Sequence, residues 1–593
     1  MQTAKRLYVL MGKNRKYYLL ACLFSFITMS IALTPTLIIG FTVDHVLIGY
    51  PAAPAVDFIL NLLGGAAYLA ENLWVPFVIL VGLTAIRSTF SYFNGRLNAI
   101  ASENIAKELR DRVYDHLQKL PYDYHVKAKT GDLIQRSTSD VENIRLFLSG
   151  QIMELVRTIL TAGISTAILI TLNPLLTFFS LMILPLIFVS SYIFHFKIKK
   201  SFQIQDEMES ELFETIQENL TGVRVVRAFG RSKYETDRFE KKNTGFRNLA
   251  QRLFRVRAWY WSSSDLLCNA QLFLTLLFGV NFAINGHITL GMFMIFLLYV
   301  NNLIWPIRNL ARVLADMGRM GVSLDRLEEI LDTPGEQETQ GAVQPSLKGK
   351  IIFDDVSFTY EGDKSPILKN LSFEIEQGET VAFLGPTGSG KSTIMHILLR
   401  LYDYTGGKVF INGTELNQIE KIYLRKKIGL VLQEPFLYSK TVGQNLKMAK
   451  DYVKDTEMVR ATKTAKIHHV IESFDKGYET MVGERGVTLS GGQRQRVAIA
   501  RTIIKNSDIL VFDDSLSAVD TDTDTQIRQA LKEKQRGITT IIISQRITTL
   551  MEADRIFVIE KGTVTDSGTH DELIQREGLY KQIWNIQTML EDE

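Results

Sequence analysis

The pattern of apolar and polar positions along this chain changes near its middle. The first half contains six apolar segments that are long enough, at about 20 residues, to cross a bilayer as helices. These segments are residues 17–39, 74–93, 153–172, 175–196, 266–284 and 290–313. Further along, short apolar strands alternate with turns and helical runs. The sequence therefore predicts a transmembrane domain at 1–330, a linker at 331–348 and a soluble domain at 349–593.

The connections between the apolar segments differ in length. Asn173-Pro174 joins the third segment to the fourth, and residues 285–289 join the fifth to the sixth. The connections after the second and fourth segments are long and charged, with helical patterns that break at 122–131 and 222–230. Short helices at these breaks would either dock on a soluble domain or form the solvated faces of tall helices.

The distribution of Lys and Arg predicts the orientation in the membrane. Residues 1–16 contain five, 94–150 contain nine and 197–257 contain fourteen, whereas 40–73 contain none. By the positive-inside rule, the N-terminus, both long connections and the soluble domain are cytoplasmic. We expect a multi-pass protein of the plasma membrane.

Charged residues in or near the membrane segments are candidates for a substrate path, because burying them in lipid is costly, and four of them are considered: Arg87, Arg157, Asp265 and Arg308. We expect Arg157 and Arg308 to lie near cytoplasmic ends and snorkel to the interface. Arg87 and Asp265 are expected to face the bundle interior or an aqueous cavity. Contact with a substrate and pairing with a neighbouring helix both remain open for these two.

Residues 56–70, in the outer connection, are apolar but too short to span the membrane. A surface-lying helix, a re-entrant segment and simple packing over the outer mouth all fit this pattern.

Composition excludes several classes of function. The chain has 593 residues and a net charge of only +3, so we expect no nucleic-acid partner. Its two cysteines, Cys22 and Cys268, lie in apolar helical stretches, which argues against a disulfide framework or a zinc site. The first apolar segment lacks a cleavage pattern, so no signal peptide is expected.

The soluble half contains a complete G-x-x-x-x-G-K-[ST] phosphate loop between a buried-type strand at 380–384 and a helical run. In such a loop, backbone N–H groups wrap the phosphates, the lysine reaches the outer phosphates and the hydroxyl can ligate Mg²⁺. We therefore predict binding of ATP and Mg²⁺. The predicted ATP-binding residues of the loop are Gly385, Pro386, Thr387, Gly388, Ser389, Gly390, Lys391, Ser392 and Thr393.

Further motifs surround this loop. Tyr360 precedes it, Gln433 closes an apolar strand, and Asp513-Asp514 end another at 509–512. A signature precedes this last strand and consists of Leu489, Ser490, Gly491, Gly492 and Gln493. In this order the motifs resemble those of the ATP-binding cassette (ABC) family, with six spans fused to one cassette as in exporter half-transporters. The resemblance covers essentially the whole chain.

The resemblance implies a fold: an all-α transmembrane domain of six long helices, followed by an α/β P-loop ATPase domain with a β-subdomain and a helical subdomain. It also implies that two cassettes face each other head to tail. Tyr360 would stack on adenine, and Ser392, Gln433 and Asp513 would surround Mg²⁺. Gln433 would also sense the γ-phosphate and contact the membrane half. The signature would reach across to a partner's ATP, and the short helices of the long connections would dock on a cassette.

Two positions depart from the family pattern. Asp514 occupies the place of the glutamate that acts as general base, and Gln545 occupies the place of the switch histidine. Aspartate is one methylene shorter, which sets its carboxylate back by roughly 1.5 Å in chemistry where 1 Å can cost about 10²-fold. Residues 517–520 follow the acidic pair as Ser-Ala-Val-Asp.

These departures predict the degenerate subunit of a heterodimeric ABC exporter of the multidrug type. Its partner would be a second half-transporter that carries the glutamate and the histidine, and its substrate would be small and hydrophobic or amphipathic. Three alternatives remain: a homodimeric exporter with two weakened sites, a lipid or peptide exporter, and a nucleotide-gated channel or regulatory subunit.

Overall fold

The computed structural model describes residues 2–51, 54–483, 486, 488–515, 521–534 and 537–591. The Ser-Ala-Val-Asp segment at 517–520 lies outside these residues. The chain forms two compact units. The first comprises Met1–Lys119 and Ala128–Thr333, and the second comprises Leu120–Lys127 and Pro334–Glu593.

The described part of the first unit is helical. Its helices are α1 (Gln2–Leu10), α2 (Arg15–Phe41), α3 (Pro54–Leu62), α4 (Gly65–Glu71), α5 (Trp74–Leu117), α7 (Thr130–Gln135), α8 (Val141–Leu146), α9 (Ile152–Leu172), α10 (Pro174–Leu181), α11 (Leu184–Thr221), α12 (Val223–Ala228), α13 (Ser232–Ile284) and α14 (Leu290–Asp332); α6 (Tyr122–Lys127) belongs to the second unit. A π-helical turn, Thr42–Leu47, extends α2.

Among the described residues of this unit, six helical stretches are long and apolar enough to span a membrane, as predicted. Several run far beyond a bilayer's hydrocarbon core, because α13 has 53 residues and α14 has 43, where about 20 would suffice. Their polar extensions correspond to the charged connections in the sequence. Helices also form at both predicted breaks, as α6 and α12.

The described residues of the second unit form two sheets. Its strands are β1 (Ile351–Phe358), β2 (Leu368–Ile375), β3 (Thr380–Leu384), β4 (Gly406–Ile411), β5 (Thr414–Glu415), β6 (Ile428–Val431), β7 (Ile509–Asp513), β8 (Thr539–Ile543), β9 (Arg555–Glu560) and β10 (Thr563–Gly568). Its further helices are α15 (Lys391–Leu398), α16 (Lys421–Lys427), α17 (Val442–Lys447), α18 (Asp455–Thr464), α19 (His468–Glu472), α20 (Gly491–Ile504), α21 (Thr521–Lys534), α22 (Ile547–Leu550), α23 (His570–Gln575) and α24 (Leu579–Glu591). This α/β architecture, with a four-stranded antiparallel sheet beside a six-stranded one, confirms the predicted fold class.

The larger sheet has the strand order β10-β9-β3-β8-β7-β6. This order places the segments that follow β3, β7 and β8, which contain predicted site residues, at one edge. Strands β3, β7 and β8 are parallel neighbours, with Phe383 opposite Ile543 and Asp513 opposite Ile543. The segments that follow these strands therefore start side by side. In parallel α/β sheets, ligands bind at this carboxyl edge.

Arg308 of the membrane unit is buried, whereas the sequence had led us to expect it at a membrane interface. Arg308 is 8% exposed in the middle of α14, and its Nη1 donates to Asp265 Oδ1 on α13 at 2.8 Å. The guanidinium also lies over the Trp261 ring, at 4.1 Å. The expectation that Arg308 snorkels was wrong, because α14 continues well past it and turns the side chain toward α13. Arg157, in contrast, is exposed and pairs with Glu154 on its own helix.

Candidate nucleotide site

The phosphate loop connects β3 to α15 and requires glycine at its beginning, Gly385, and at its end, Gly390. Gly390 has a φ of +101°, and a Cβ there would come within 2.5 Å of the Leu368 side chain. At Gly385, a Cβ would come within 2.1 Å of the Ile559 carbonyl oxygen. The backbone can therefore fold tightly at this edge, which leaves its N–H groups available to an anion at the start of α15.

The lysine of the loop, Lys391, is buried at the first position of α15. Lys391 Nζ donates to the carbonyl oxygens of Gly385 and Pro386, each at 2.8 Å, and lies 3.4 Å from Ser389 Oγ. Burial lowers the pKa of Lys391. A phosphate placed here would give this ammonium a charged partner in exchange for neutral carbonyls.

The loop opens into a pocket of about 340 Å³ that unites most of the predicted residues. Gly385, Pro386 and Ser389 are not part of its wall; the first two hold Lys391 through their carbonyls. The wall also includes Ile367, Ile543 and Ser544, which the motifs had not indicated. The predicted residues in the wall are Tyr360, Thr387, Gly388, Gly390, Lys391, Ser392, Thr393, Gln433, Asp513, Asp514 and Gln545.

Tyr360, the residue predicted to stack on adenine, lies in the wall of the pocket. Its hydroxyl is 3.0 Å from Thr393 Oγ1, and its ring packs edge-on against Tyr402 with centroids 5.1 Å apart. Tyr402 in turn contacts Tyr122 of α6, at a centroid distance of 5.7 Å. An aromatic path thus connects the predicted adenine platform to the first of the two short helices.

Oxygen donors suited to Mg²⁺ lie beside the loop. Ser392 Oγ is 3.3 Å from Asp513 Oδ1. Burial raises the pKa of Asp513, while the hydrogen bond from Ser392 opposes that rise. Among the described residues, His, Cys, Asp and Glu form no group of three that could hold a metal. A hydroxyl with one carboxylate fits Mg²⁺, which takes few protein ligands and completes its shell with phosphate oxygens and water.

Asp514 follows Asp513 in a constrained backbone position. Its φ is +44°, a left-handed conformation that Asp adopts more readily than most residues, and its N–H donates to the Ile543 carbonyl oxygen at 2.8 Å. Its carboxylate accepts a hydrogen bond from Gln433 Nε2 at 3.3 Å. Burial and the neighbouring charge of Asp513 raise the pKa of Asp514.

The C-terminal helix fixes the backbone around Gln545. From α24, Gln587 Nε2 donates to the Gln545 carbonyl oxygen at 2.8 Å, and its Oε1 accepts from the Ile547 N–H at 2.9 Å. Gln545 itself is exposed and lines the pocket. No motif pointed to Gln587, which is 42 residues beyond Gln545.

The signature lies elsewhere on the cassette. Ser490 caps the 14-residue helix α20 through a capping box with Gln493. Ser490 and Gly491 are exposed, and a Cβ at Gly491 would meet nothing within 4 Å. None of Leu489 to Gln493 lines the pocket described above. This helix start is open to an anion from outside the chain.

Comparisons with known proteins agree with this architecture. A family model described as the ABC transporter transmembrane region matches residues 18–307, and one described as ABC transporter matches residues 368–517. The chain is 33% identical, over 99% of its own length and 98% of the relative's, to the uncharacterized ABC transporter ATP-binding protein YknU of Bacillus subtilis (strain 168). It is 31% identical, over 99% of its length and all of the relative's, to the ATP-binding/permease protein YgaD of the same organism, whose name proposes multidrug export.

Among solved structures, a bacterial Atm1-family ABC exporter with ATP bound superposes with a TM-score of 0.79 at 25% identity, covering 97% of this chain and 99% of that one. The chain belongs to the ABC transporter family. It is an ABC exporter half-transporter, a multi-pass membrane protein that couples ATP hydrolysis to transport and works in a dimer.

Proposed function

We propose that this chain is the degenerate subunit of a heterodimeric exporter: its own phosphate-loop site holds Mg-ATP but hydrolyses it slowly, and its signature serves the partner's site. The observation that carries the proposal is the pair Asp514 and Gln545. Both side chains line an otherwise complete ATP pocket at the two positions where the family uses glutamate and histidine.

At the base position, we expect the length of the side chain to determine the rate of hydrolysis. The raised pKa of Asp514 makes its ionised form a somewhat better proton acceptor. Its carboxylate nevertheless stands one methylene farther back than that of a glutamate, and its φ of +44° holds the backbone in a restricted conformation. A misplacement of about 1 Å can cost about 10²-fold in rate, more than a modest change of basicity restores.

At the switch position, Gln545 can still donate a hydrogen bond to a γ-phosphate. An amide has no titration near neutral pH, so it cannot take up a proton or carry the positive charge available to histidine. Gln545 therefore favours binding of ATP over its turnover.

Mg²⁺ would be held by Ser392 and Asp513, with Gln433 beside it, and would supply charge neutralisation at the phosphates. Lys391 would bind the outer phosphates, and Tyr360 would stack on the adenine. These roles are the ones that the motifs imply, and the pocket's donor set is compatible with all of them.

The membrane half supports a partner chain and a hydrophobic substrate. In the most apolar stretch of α5, no residue is buried by the rest of this chain, and Arg87 on the same helix is exposed. Because an arginine facing lipid in a span is costly, we infer that a partner chain or an aqueous substrate path covers it. The multidrug-export name of YgaD favours drug-like substrates.

The proposed orientation places the cassette and both long connections in the cytoplasm. A single cysteine at Lys233, in a background without Cys22 and Cys268, is expected to resist labelling by an impermeant maleimide in intact cells. A cysteine at the exposed Asn285 is expected to react. The opposite pattern would invert the topology.

The test of the function uses the complex of both chains. Asp514→Ala should reduce ATP hydrolysis far less than removal of the equivalent glutamate from the partner. Asp514→Glu combined with Gln545→His should increase hydrolysis at this site. Abolition of hydrolysis by Asp514→Ala alone would show that the aspartate is a competent base, and the degenerate assignment would be wrong.

A further inference from the structure

Helix α3 is an apolar helix that leaves two large side chains exposed. Phe58 is 71% exposed and Leu62 is 75% exposed. Across 54–62 the only polar side chains are Asp57 and Asn61, one turn apart, and Asn61 Nδ2 donates to Asp57 Oδ2 at 3.2 Å. The helix is therefore amphipathic, with one narrow polar stripe and a broad apolar face.

The neighbour of α3 is tied to the end of the first membrane span. The Gly64-Gly65 turn, with φ values of +100° and +85°, reverses the chain into α4. Helix α4 packs against the π-helical turn Thr42–Leu47 and buries Leu69 to 2% exposure. Helix α3 packs on α4 and so stays close to the ends of the helices that enter the membrane.

Several observations indicate what covers the apolar face. The connection 40–73 contains no Lys or Arg, so electrostatic attraction to acidic groups does not hold this segment against its partner surface. Tyr68 lies on α4, and Tyr50 and Trp74 flank the α3–α4 hairpin in sequence; they are 46%, 48% and 60% exposed. Tyr and Trp concentrate where a membrane meets water. The exposure of Phe58 is similar to that of Phe178, at 63%, on the membrane helix α10.

We propose that α3 lies in the membrane–water interface, on the side of the membrane where the 40–73 connection emerges. Phe58 and Leu62 are inserted among the lipid acyl chains. Asp57 and Asn61 face the water. The partner of this surface is a lipid leaflet, recognised by apolar insertion alone. Through α4, the leaflet is thereby attached to the π-helical turn of α2.

The π-helical turn to which the hairpin is attached also contacts the last membrane span, α14. Its Asp44 is 2% exposed, accepts a hydrogen bond from the Gly291 N–H at 2.7 Å and contacts the Thr289 hydroxyl. Asp44 thus caps the first turn of α14. The lipid-attached hairpin consequently rests on the point where the first and last membrane spans are joined.

The experiment uses nitroxide labels on the full-length dimer in phosphatidylcholine nanodiscs, with Cys22 and Cys268 replaced by serine. Single cysteines replace Phe58, Leu62 and, as the matched control on the polar stripe, Asn61. Phe178→Cys, 63% exposed on the membrane helix α10, serves as the lipid reference and Tyr452→Cys, 73% exposed on the cassette, as the water reference. Collision with oxygen and with a water-soluble nickel chelate is measured at each site. All of these positions are exposed in the single chain, and retained ATPase activity verifies folding.

The labels at Phe58 and Leu62 should match the label at Phe178, with an oxygen-to-nickel accessibility ratio severalfold above that at Asn61. The ratios should be the same when phosphatidylglycerol is added. Nickel access at Phe58 equal to that at Tyr452 would place the helix in water and overturn the proposal. Exclusion of both reagents would show a protein partner instead, and a ratio that rises with anionic lipid would contradict apolar insertion.

Discussion

Gln433 Nε2 donates to Asp514 Oδ2 at 3.3 Å, so the residue predicted to sense the γ-phosphate contacts the residue at the general-base position. The amide of Gln433 is thereby directed toward a carboxylate that is one methylene shorter than that of the glutamate expected at this position. Both side chains line the pocket. This arrangement fits a site that binds nucleotide better than it converts it.

The raised pKa of Asp514 predicts an effect on stability. Because burial favours its protonated form, ionised Asp514 opposes folding at neutral pH, and this penalty vanishes as the pH falls and the carboxyl takes up a proton. Asp514→Asn should therefore raise the unfolding temperature of the nucleotide-free protein at pH 7.5, by about 2–4 °C for each kcal/mol gained. The increase should shrink toward pH 4.

The control for this prediction is Asp451→Asn, at an exposed acid of the same cassette, which should leave the unfolding temperature unchanged. Thermal unfolding is followed in EDTA to keep Mg²⁺ out of the site. A lower unfolding temperature for Asp514→Asn at pH 7.5 would show that ionised Asp514 stabilises the fold.

The exposed start of α20 predicts an asymmetry between the two signatures of the dimer. Ser490→Arg with Gly491→Asp would place bulk and an acid where this helix start would meet a γ-phosphate. Hydrolysis by the complex should collapse although the partner's own catalytic residues are untouched. The equivalent change in the partner's signature should cost much less. Equal losses would indicate two equivalent sites.

The contact between Gln587 and the backbone around Gln545 predicts a selective loss of ATP binding. Gln587→Ala removes both hydrogen bonds, whereas Gln587→Glu keeps an acceptor for the Ile547 N–H but loses the donor to Gln545. Because Gln545 is expected at the γ-phosphate, both variants should weaken ATP binding, Ala more than Glu, and leave ADP binding unchanged. Calorimetry with each nucleotide measures the difference. A parallel loss of both affinities would indicate general unfolding.

The ion pair between Arg308 and Asp265 predicts a non-additive effect on stability. Asp265→Ala leaves a guanidinium buried in the membrane unit without its carboxylate partner, and breaking such a pair can cost about 3–5 kcal/mol, less here because Asp265 is 60% exposed. Arg308→Leu combined with Asp265→Ala should restore part of the loss. Unfolding temperatures in detergent test this. Additive losses in the double variant would mean that the two residues act independently.

The sequence was sufficient for features that depend on local pattern. Length and apolarity predicted the six spans, and the phosphate loop could be placed because strand, turn and helix are contiguous from Thr380 to Leu398. The position of Asp513 beside Ser392 follows from parallel strands that share an edge.

The features that the sequence did not reveal depend on packing between distant segments. Gln587 reaches Gln545 only because α24 folds back onto α22, and neither helix carries a motif. Arg308 was misjudged because a linear pattern shows where a charge lies along a helix but not which neighbour it faces. The prediction that 56–70 is too short to span was compatible with three placements, and the exposure of Phe58 and Leu62 favours one of them.

The nucleotide found at this chain's phosphate loop after turnover tests the central claim most directly. The complex is allowed to hydrolyse Mg-ATP through many cycles and is then trapped, and the nucleotide cross-linked beside Tyr360 is identified by mass spectrometry. Intact Lys391, Ser392 and Asp513 beside Asp514 and Gln545 predict unhydrolysed ATP at this loop and ADP at the partner's. ADP alone at both loops would contradict the account.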